Sequence, residues 1–246
     1  MSLHPEWLVP DWPAPARVRA FVTTRAGGVS AGEYGSMNLG LASGDDPAKV
    51  AANRERLRAA LPGDPTWLVQ VHGRDVVDLD AWRGPDRPRG DATLTRTPGR
   101  VAGVLTADCL PVVFCDRQGT RVAVAHAGWR GLAAGVLEAT VAALDRHPGD
   151  ILAWMGPAIG PASFVVGPEV REAFVDVDPA ADTAFRDHGP GKHLADLYAL
   201  ARQRLARAGV ASVHGGGWCT MREADRFFSY RRCRESGRMG TFAWIE

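Results

Sequence analysis

The sequence is almost without lysine: Lys49 and Lys192 stand alone among basic residues that are otherwise arginine. Such a bias can record a GC-rich genome, so no arginine carries meaning by its type alone. A surplus of one charge is also missing. The 29 basic and 28 acidic residues nearly cancel, which removes the bulk electrostatic case for nucleic acid or an anionic membrane surface. No stretch approaches the roughly 18 apolar residues of a membrane span. Met1 to Trp7 hold neither a basic n-region nor an apolar h-region, so a cytoplasmic location is expected. Cysteine is scarce and unpatterned. Cys109, Cys115, Cys219 and Cys233 make no Cys-x-x-Cys pair, and a chain of 246 residues, 46% hydrophobic, needs no disulfide staples. Reduced thiols follow, with Cys115, alternating with Val113, a small buried hydrophobe.

Low-complexity tracts, fixed-period repeats and Gly/Ser linkers are absent too, so residues 1–246 are expected to form one domain. Asp45-Asp46-Pro47 reads as the N-cap and first turn of a helix that carries Val50, Leu57 and Leu61 inward. Thr66–Val71, Val101–Leu105, Pro111–Cys115, Arg121–Ala125 and Ile151–Met155 read as buried strands. Leu132, Val136, Leu137, Val141 and Leu144 predict a helix directly after His126. Leu194, Leu197, Tyr198, Ala201 and Leu205 make an amphipathic stripe stopped by Gly209. More sheet is expected around Val210–Trp218 and Phe227–Ile245. The strand, helix, strand order implies an α/β domain.

Three short phrases then stand out: Gln70-Val71-His72-Gly73, Thr106-Ala107-Asp108-Cys109 and Ala125-His126-Ala127-Gly128-Trp129-Arg130-Gly131. Each puts a metal-competent side chain beside small or turn-forming residues where an apolar strand gives way to a loop. Two imidazoles and one thiolate satisfy a three-ligand zinc site with an open position, where bound water reaches a pKa of about 7. The separations match no local zinc motif, so tertiary folding must assemble the site. The other five histidines, His4, His147, His188, His193 and His214, sit in a tail, in polar or Gly-rich connections, or at a helix start. Cys109 beside a histidine is alternatively a nucleophile, with Asp91 available as its orienter.

At these residues the chain resembles the YfiH family, also called laccase-domain or polyphenol oxidase proteins. The resemblance extends through Thr23-Thr24-Arg25-Ala26-Gly27-Gly28-Val29-Ser30, Ser36-Met37-Asn38-Leu39-Gly40, Gly90-Asp91-Ala92, Gly156-Pro157-Ala158-Ile159-Gly160 and Phe228-Ser229-Tyr230-Arg231-Arg232. It implies a mixed α/β sandwich with helices outside two sheets, and zinc on His72, Cys109 and His126. It also implies phosphorolysis of adenosine, inosine, guanosine and methylthioadenosine, together with deamination of adenosine. Purine nucleosides and phosphate are then the partners, and no protein partner is implied. Where relatives often carry Cys-Cys-Tyr, this chain has Ala162, Ser163 and Phe164, which leaves the three ligands untouched.

Deamination requires proton movement, for which Asp91 and Asp108 are candidates, although either could be a turn or capping carboxylate. Phosphorolysis requires cations near the metal, and Arg25, Arg130 and Arg231 are candidates. Arg25 precedes a Gly-rich turn able to offer N–H groups to an anion. Asn38 could contact substrate or cap a turn, and Trp129 or Phe228 could stack on a purine.

Three rivals remain. Copper oxidation of phenols has few histidines to work with, since there are seven and no His-x-His pair, although copper can occupy such a site in vitro. A Cys–His hydrolase editing peptidoglycan precursors would use the same thiol. A binding protein with a structural zinc would need a fourth ligand from Cys219 or His214.

Overall fold

Leu110–Asp116 and Val122–Ala127 are apolar or small at nearly every position, and strands of that kind need cover on both faces. The structure, a computed structural model, describes residues 3–246. In chain order its main elements are β1 (Val18–Val22), α1 (Pro47–Arg58), β2 (Val76–Asp78), β3 (Ala92–Thr95), β4 (Ala102–Thr106), β5 (Leu110–Asp116) and β6 (Val122–Ala127). Then follow α2 (Trp129–Ala134), α3 (Val136–Ala143), β7 (Ile151–Met155), β8 (Val165–Val166), α4 (Pro168–Val175), β9 (Phe185–Asp187), β10 (His193–Ala195), α5 (Leu197–Arg207), β11 (Ser212–Gly215) and β12 (Met239–Ile245). A six-stranded mixed sheet runs β11-β7-β5-β6-β3-β2, an antiparallel sheet runs β1-β12-β4, and β8-β10-β9 make a small third sheet.

Alternation of side chains sorts the interior into layers. Val113, Cys115, Val122, Val124, Leu152 and Trp154 point from the large sheet toward Val18, Val22, Val104, Ala243 and Ile245 of the three-stranded sheet. Their strand neighbours Val112, Phe114, Ala123, Ala125 and Ala153 face away, onto Leu132, Leu137, Val141, Leu200 and Leu205 of α2, α3 and α5. Phe21, Phe242 and Trp244, on the far side of the three-stranded sheet, pack with Leu57 and Leu61. The result is the α/β/β/α sandwich expected from the resemblance. Removing a side chain such as Phe114 from the middle of these layers would cost about 3–5 kcal/mol.

Local differences from the sequence reading have physical causes. Asp46 does cap α1, accepting the Ala48 amide at 2.8 Å. The expected strand at Thr66–Val71 reduces to one bridge, Val69 with Arg89, and Val69 and Val71 are exposed; the run lies along a cleft wall. The helix after His126 is broken by Gly135, whose φ of 93° closes α2 and opens α3. Leu194 and His193 belong to β10, so the amphipathic stripe starts as helix only at Leu197, behind an Asp196 cap. The C-terminal sheet is confined to β11 and β12. Phe227 and Phe228 are buried in a loop cluster with Met239. Cys115 is fully buried, and burial pushes its thiol to about 12. No helix among the described residues is long and apolar enough to cross a membrane.

Candidate metal centre and cleft

His126 lies near the end of β6, on the face turned toward the three-stranded sheet, and only its edge reaches solvent. Cys109 sits in the tight turn between β4 and β5, next to Asp108, whose φ is 84°. His72 lies in the loop leading to β2, with φ of 58°. Two non-glycine residues in the left-handed region at one place mark a backbone held by its surroundings. Folding brings Cys109 Sγ to 3.9 Å from His72 Nε2, and places the donor atoms of His72, Cys109 and His126 within 4.8 Å of one another. Bond lengths for tetrahedral zinc imply N···S separations of about 3.5 Å. Among the described residues this is the one His, Cys, Asp or Glu group able to hold a metal.

Asp91 builds the centre from behind. It is fully buried at the start of β3 and its Oδ1 lies 2.8 Å from His126 Nδ1. The same carboxylate accepts the amides of Val71 (3.2 Å), His72 (2.9 Å) and Gly73 (2.7 Å). Burial pushes Asp91 up, but His126 and these amides outweigh it and hold the group below its ordinary value. Asp91 thus keeps the Nδ1 proton on His126 and turns Nε2 toward the sulfur, the arrangement that orients metal-bound imidazoles. Desolvation also opposes ionisation of Cys109, yet His126 and His72 bring it down to about 6, while Cys109 and Asp91 raise His126 to about 9. In metal-free protein these shifts favour the thiolate and the imidazolium over the neutral pair.

A glycine makes the approach feasible. A Cβ at Gly128 would stand 2.8 Å from Cys109 Sγ and 2.9 Å from His72 Cδ2. The donor set, the carboxylate behind one imidazole and the space kept by Gly128 fit a metal ion. Asp108 pins the cysteine turn from the other side, taking bonds from Thr220 Oγ1 and the Arg231 amide, both at 2.6 Å.

The three donors form part of the wall of a cleft of about 580 Å³, a size suited to a small organic ligand. Arg54, Arg87, Arg130 and Arg238 line it, no carboxylate does, and Leu41, Val69 and Tyr230 give it an apolar rim. Only Arg130 of the expected anion contacts is among them. Arg25 donates to the carbonyls of Gly35 (2.8 Å) and Ala224 (3.1 Å) and covers Phe228. Arg231 reaches the Val165 carbonyl and the ring of Phe164. Asn38 is fully buried and donates to Ser43 and Asp45 while accepting the amides of Gly40 and Arg238. In the Gly-rich turn after Arg25, Gly28 N–H goes to Ser36 Oγ and Val29 N–H to Asn53 Oδ1. These residues bind distant segments together.

Arg54, Arg87, Arg238 and Tyr230 carry no local signal, because arginine on a helix or in a polar loop has the pattern of a solvated surface. Trp129 packs on the helical layer rather than lining the cleft. The fourth-ligand candidates are engaged elsewhere. His214 bonds Ser212 Oγ at 2.9 Å, and Cys219 accepts the Gly160 amide at 3.3 Å beside Ser163.

Comparison with known proteins agrees with this architecture. Residues 19–246 match the family described as multi-copper polyphenol oxidoreductase laccase. Purine nucleoside phosphorylase YfiH of Escherichia coli (strain K12) is 56% identical, over 97% of this chain and 98% of its own. Purine nucleoside phosphorylase PA4543 of Pseudomonas aeruginosa is 54% identical over 98% of each. The crystal structure of Neisseria meningitidis protein NMB0706, 50% identical, superposes with a TM-score of 0.93 over 98% of this chain and 99% of that one. With sequence and fold in agreement along nearly its whole length, the chain belongs to the YfiH family of laccase-domain proteins.

Proposed function

We propose that the protein is a zinc-dependent purine nucleoside phosphorylase that also deaminates adenosine. The observation carrying this reading is one cleft walled by a three-donor metal group and four arginines, with no carboxylate. The relatives' name supplies the nucleoside.

Phosphorolysis forms a bond from a phosphate oxygen to C1′ of the ribose and breaks the bond from C1′ to purine N9. The purine leaves with the electron pair and takes up a proton. Because the nucleophile is an anion, the protein must draw it out of water and hold it in line with the breaking bond. The arginines of the cleft do the first, and the apolar rim of Leu41, Val69 and Tyr230 gives the base a surface that excludes water. His72, Cys109 and His126 would hold the zinc ion, which when bound would supply Lewis-acid stabilisation of the charge that develops. Asp91 and Asp108 act as positioning groups, since each already accepts hydrogen bonds that fix the ligand loops. Deamination, in which water replaces the C6 amino group and ammonia departs, is assigned to the same cleft.

Two imidazoles and a thiolate suit zinc and also a single copper ion, but one such group is too few for multicopper oxidation. The Asp91–His126–Cys109 series favours a second reading, a Cys–His hydrolase acting on a cell-wall precursor, in which the thiolate itself attacks. Zinc-loaded protein incubated with adenosine, followed by chromatography, separates the readings. Adenine should appear with phosphate and inosine without it. Absence of both products, with release of product from a muropeptide precursor, would replace the first reading by the second.

A further inference from the structure

Two of the cleft arginines are held as a pair. Arg54, on α1, donates through Nε and Nη2 to the Leu39 carbonyl at 3.0 and 2.8 Å, and its guanidinium lies 3.7 Å over the Trp67 ring. Arg87, in the loop before β3, donates to the carbonyl of the same Trp67 at 3.3 Å and to that of Leu68. Trp67 and its neighbour therefore anchor both guanidiniums, each using carbonyl acceptors that leave its charge uncompensated. Neither makes an ion pair among the described residues, and the hydrogen bonds of each use Nε and Nη2, leaving Nη1 without a protein partner there. Burial and the charge of Arg87 lower Arg54 to about 10. Thr106, on the same cleft, keeps a buried hydroxyl without a partner.

Two guanidiniums anchored on one residue without a counter-charge repel each other, and an anion that joins them relieves the repulsion. We propose that Arg54 and Arg87 form the anion site of the cleft and bind a phosphate group between their free N–H donors. Planar guanidinium forks match the oxygen spacing of phosphate, and fixing them beforehand lowers the ordering cost of binding. Which phosphate is bound rests on the phosphorylase reading. That reading makes it the inorganic co-substrate, whereas a nucleotide ligand would present the same chemistry on its ribose.

Calorimetric titration of zinc-loaded protein with inorganic phosphate, adenosine 5′-monophosphate and adenosine tests the pair, alongside the KM for phosphate. Arg87 is exposed, so Arg87→Gln should fold as the parent does and carries the test if Arg54→Gln loses stability. Arg87→Gln should weaken inorganic phosphate about 10–100-fold, the effect of losing a charge-assisted hydrogen bond, and leave adenosine within about twofold. Loss confined to adenosine 5′-monophosphate would place a nucleotide's phosphate on the same pair. Unchanged affinity for both anions would overturn the inference. Failure of the parent protein to cleave any nucleoside would remove the phosphorylase reading, while the phosphate titration would still decide the pair's role.

Discussion

Asp91 Oδ1 stands 2.8 Å from His126 Nδ1 and takes the His72 amide at 2.9 Å, so a single carboxylate atom fixes both histidines of the candidate metal centre. Asp91→Asn keeps the shape but presents an NH2 group toward either the imidazole or the Gly73 amide, whose bond is the shortest of the three amide bonds at 2.7 Å. Metal affinity should fall about 10–100-fold and stability by about 2–3 kcal/mol. Chelator competition and denaturant unfolding measure the two. Unchanged metal affinity would deny Asp91 its positioning role.

Gly128→Ala should disturb the centre without removing a ligand. Its Cβ would press on Cys109 Sγ and His72 Cδ2 at distances no relaxed pair adopts. The expected result is weaker metal retention with secondary structure intact, read by metal analysis and circular dichroism. A variant holding metal as tightly as the parent would mean the loop of His72 yields freely.

Cys109→Ala should lose metal and nucleoside cleavage together, because it removes one of three donors. Retained metal with lost activity would instead identify the sulfur as a nucleophile.

Metal affinity should also depend on pH in two regimes. With Cys109 at about 6 and His126 at about 9 in metal-free protein, binding between these values displaces the His126 proton, so apparent affinity rises about tenfold per pH unit. Below about 6 the thiol proton must leave as well, and the dependence steepens. Chelator competition across pH reads both slopes. A flat profile would mean that His126 is already neutral.

Arg25→Gln and Asn38→Ala should act on stability and leave substrate affinity alone. Arg25 ties Gly35 to Ala224, and Asn38 ties Arg238 to the Ser43–Asp45 turn. Each should cost about 1–3 kcal/mol, visible as a lower denaturant midpoint. A raised KM for phosphate at unchanged stability would contradict this placement.

Residue order alone determined most of the buried strands and singled out the candidate ligands. Val101–Leu105, Pro111–Cys115 and Ile151–Met155 are apolar over lengths that suit a strand, and burial on both faces follows from that pattern. His72, Cys109 and His126 stood out because metal-competent groups beside glycine and turn residues are locally unusual. Tertiary structure decided which charges serve the cleft. Arg25 looked suited to an anion from its neighbours, yet its Nε and Nη1 donate to carbonyls 10 and 199 residues away and it does not line the cleft. Arg54 and Arg87 carry no local signal in the sequence, and only folding brings a helix and a distant loop together so that both contact Trp67. A side chain's type is written locally. Whether its hydrogen bonds and charge are already satisfied depends on partners brought together by folding.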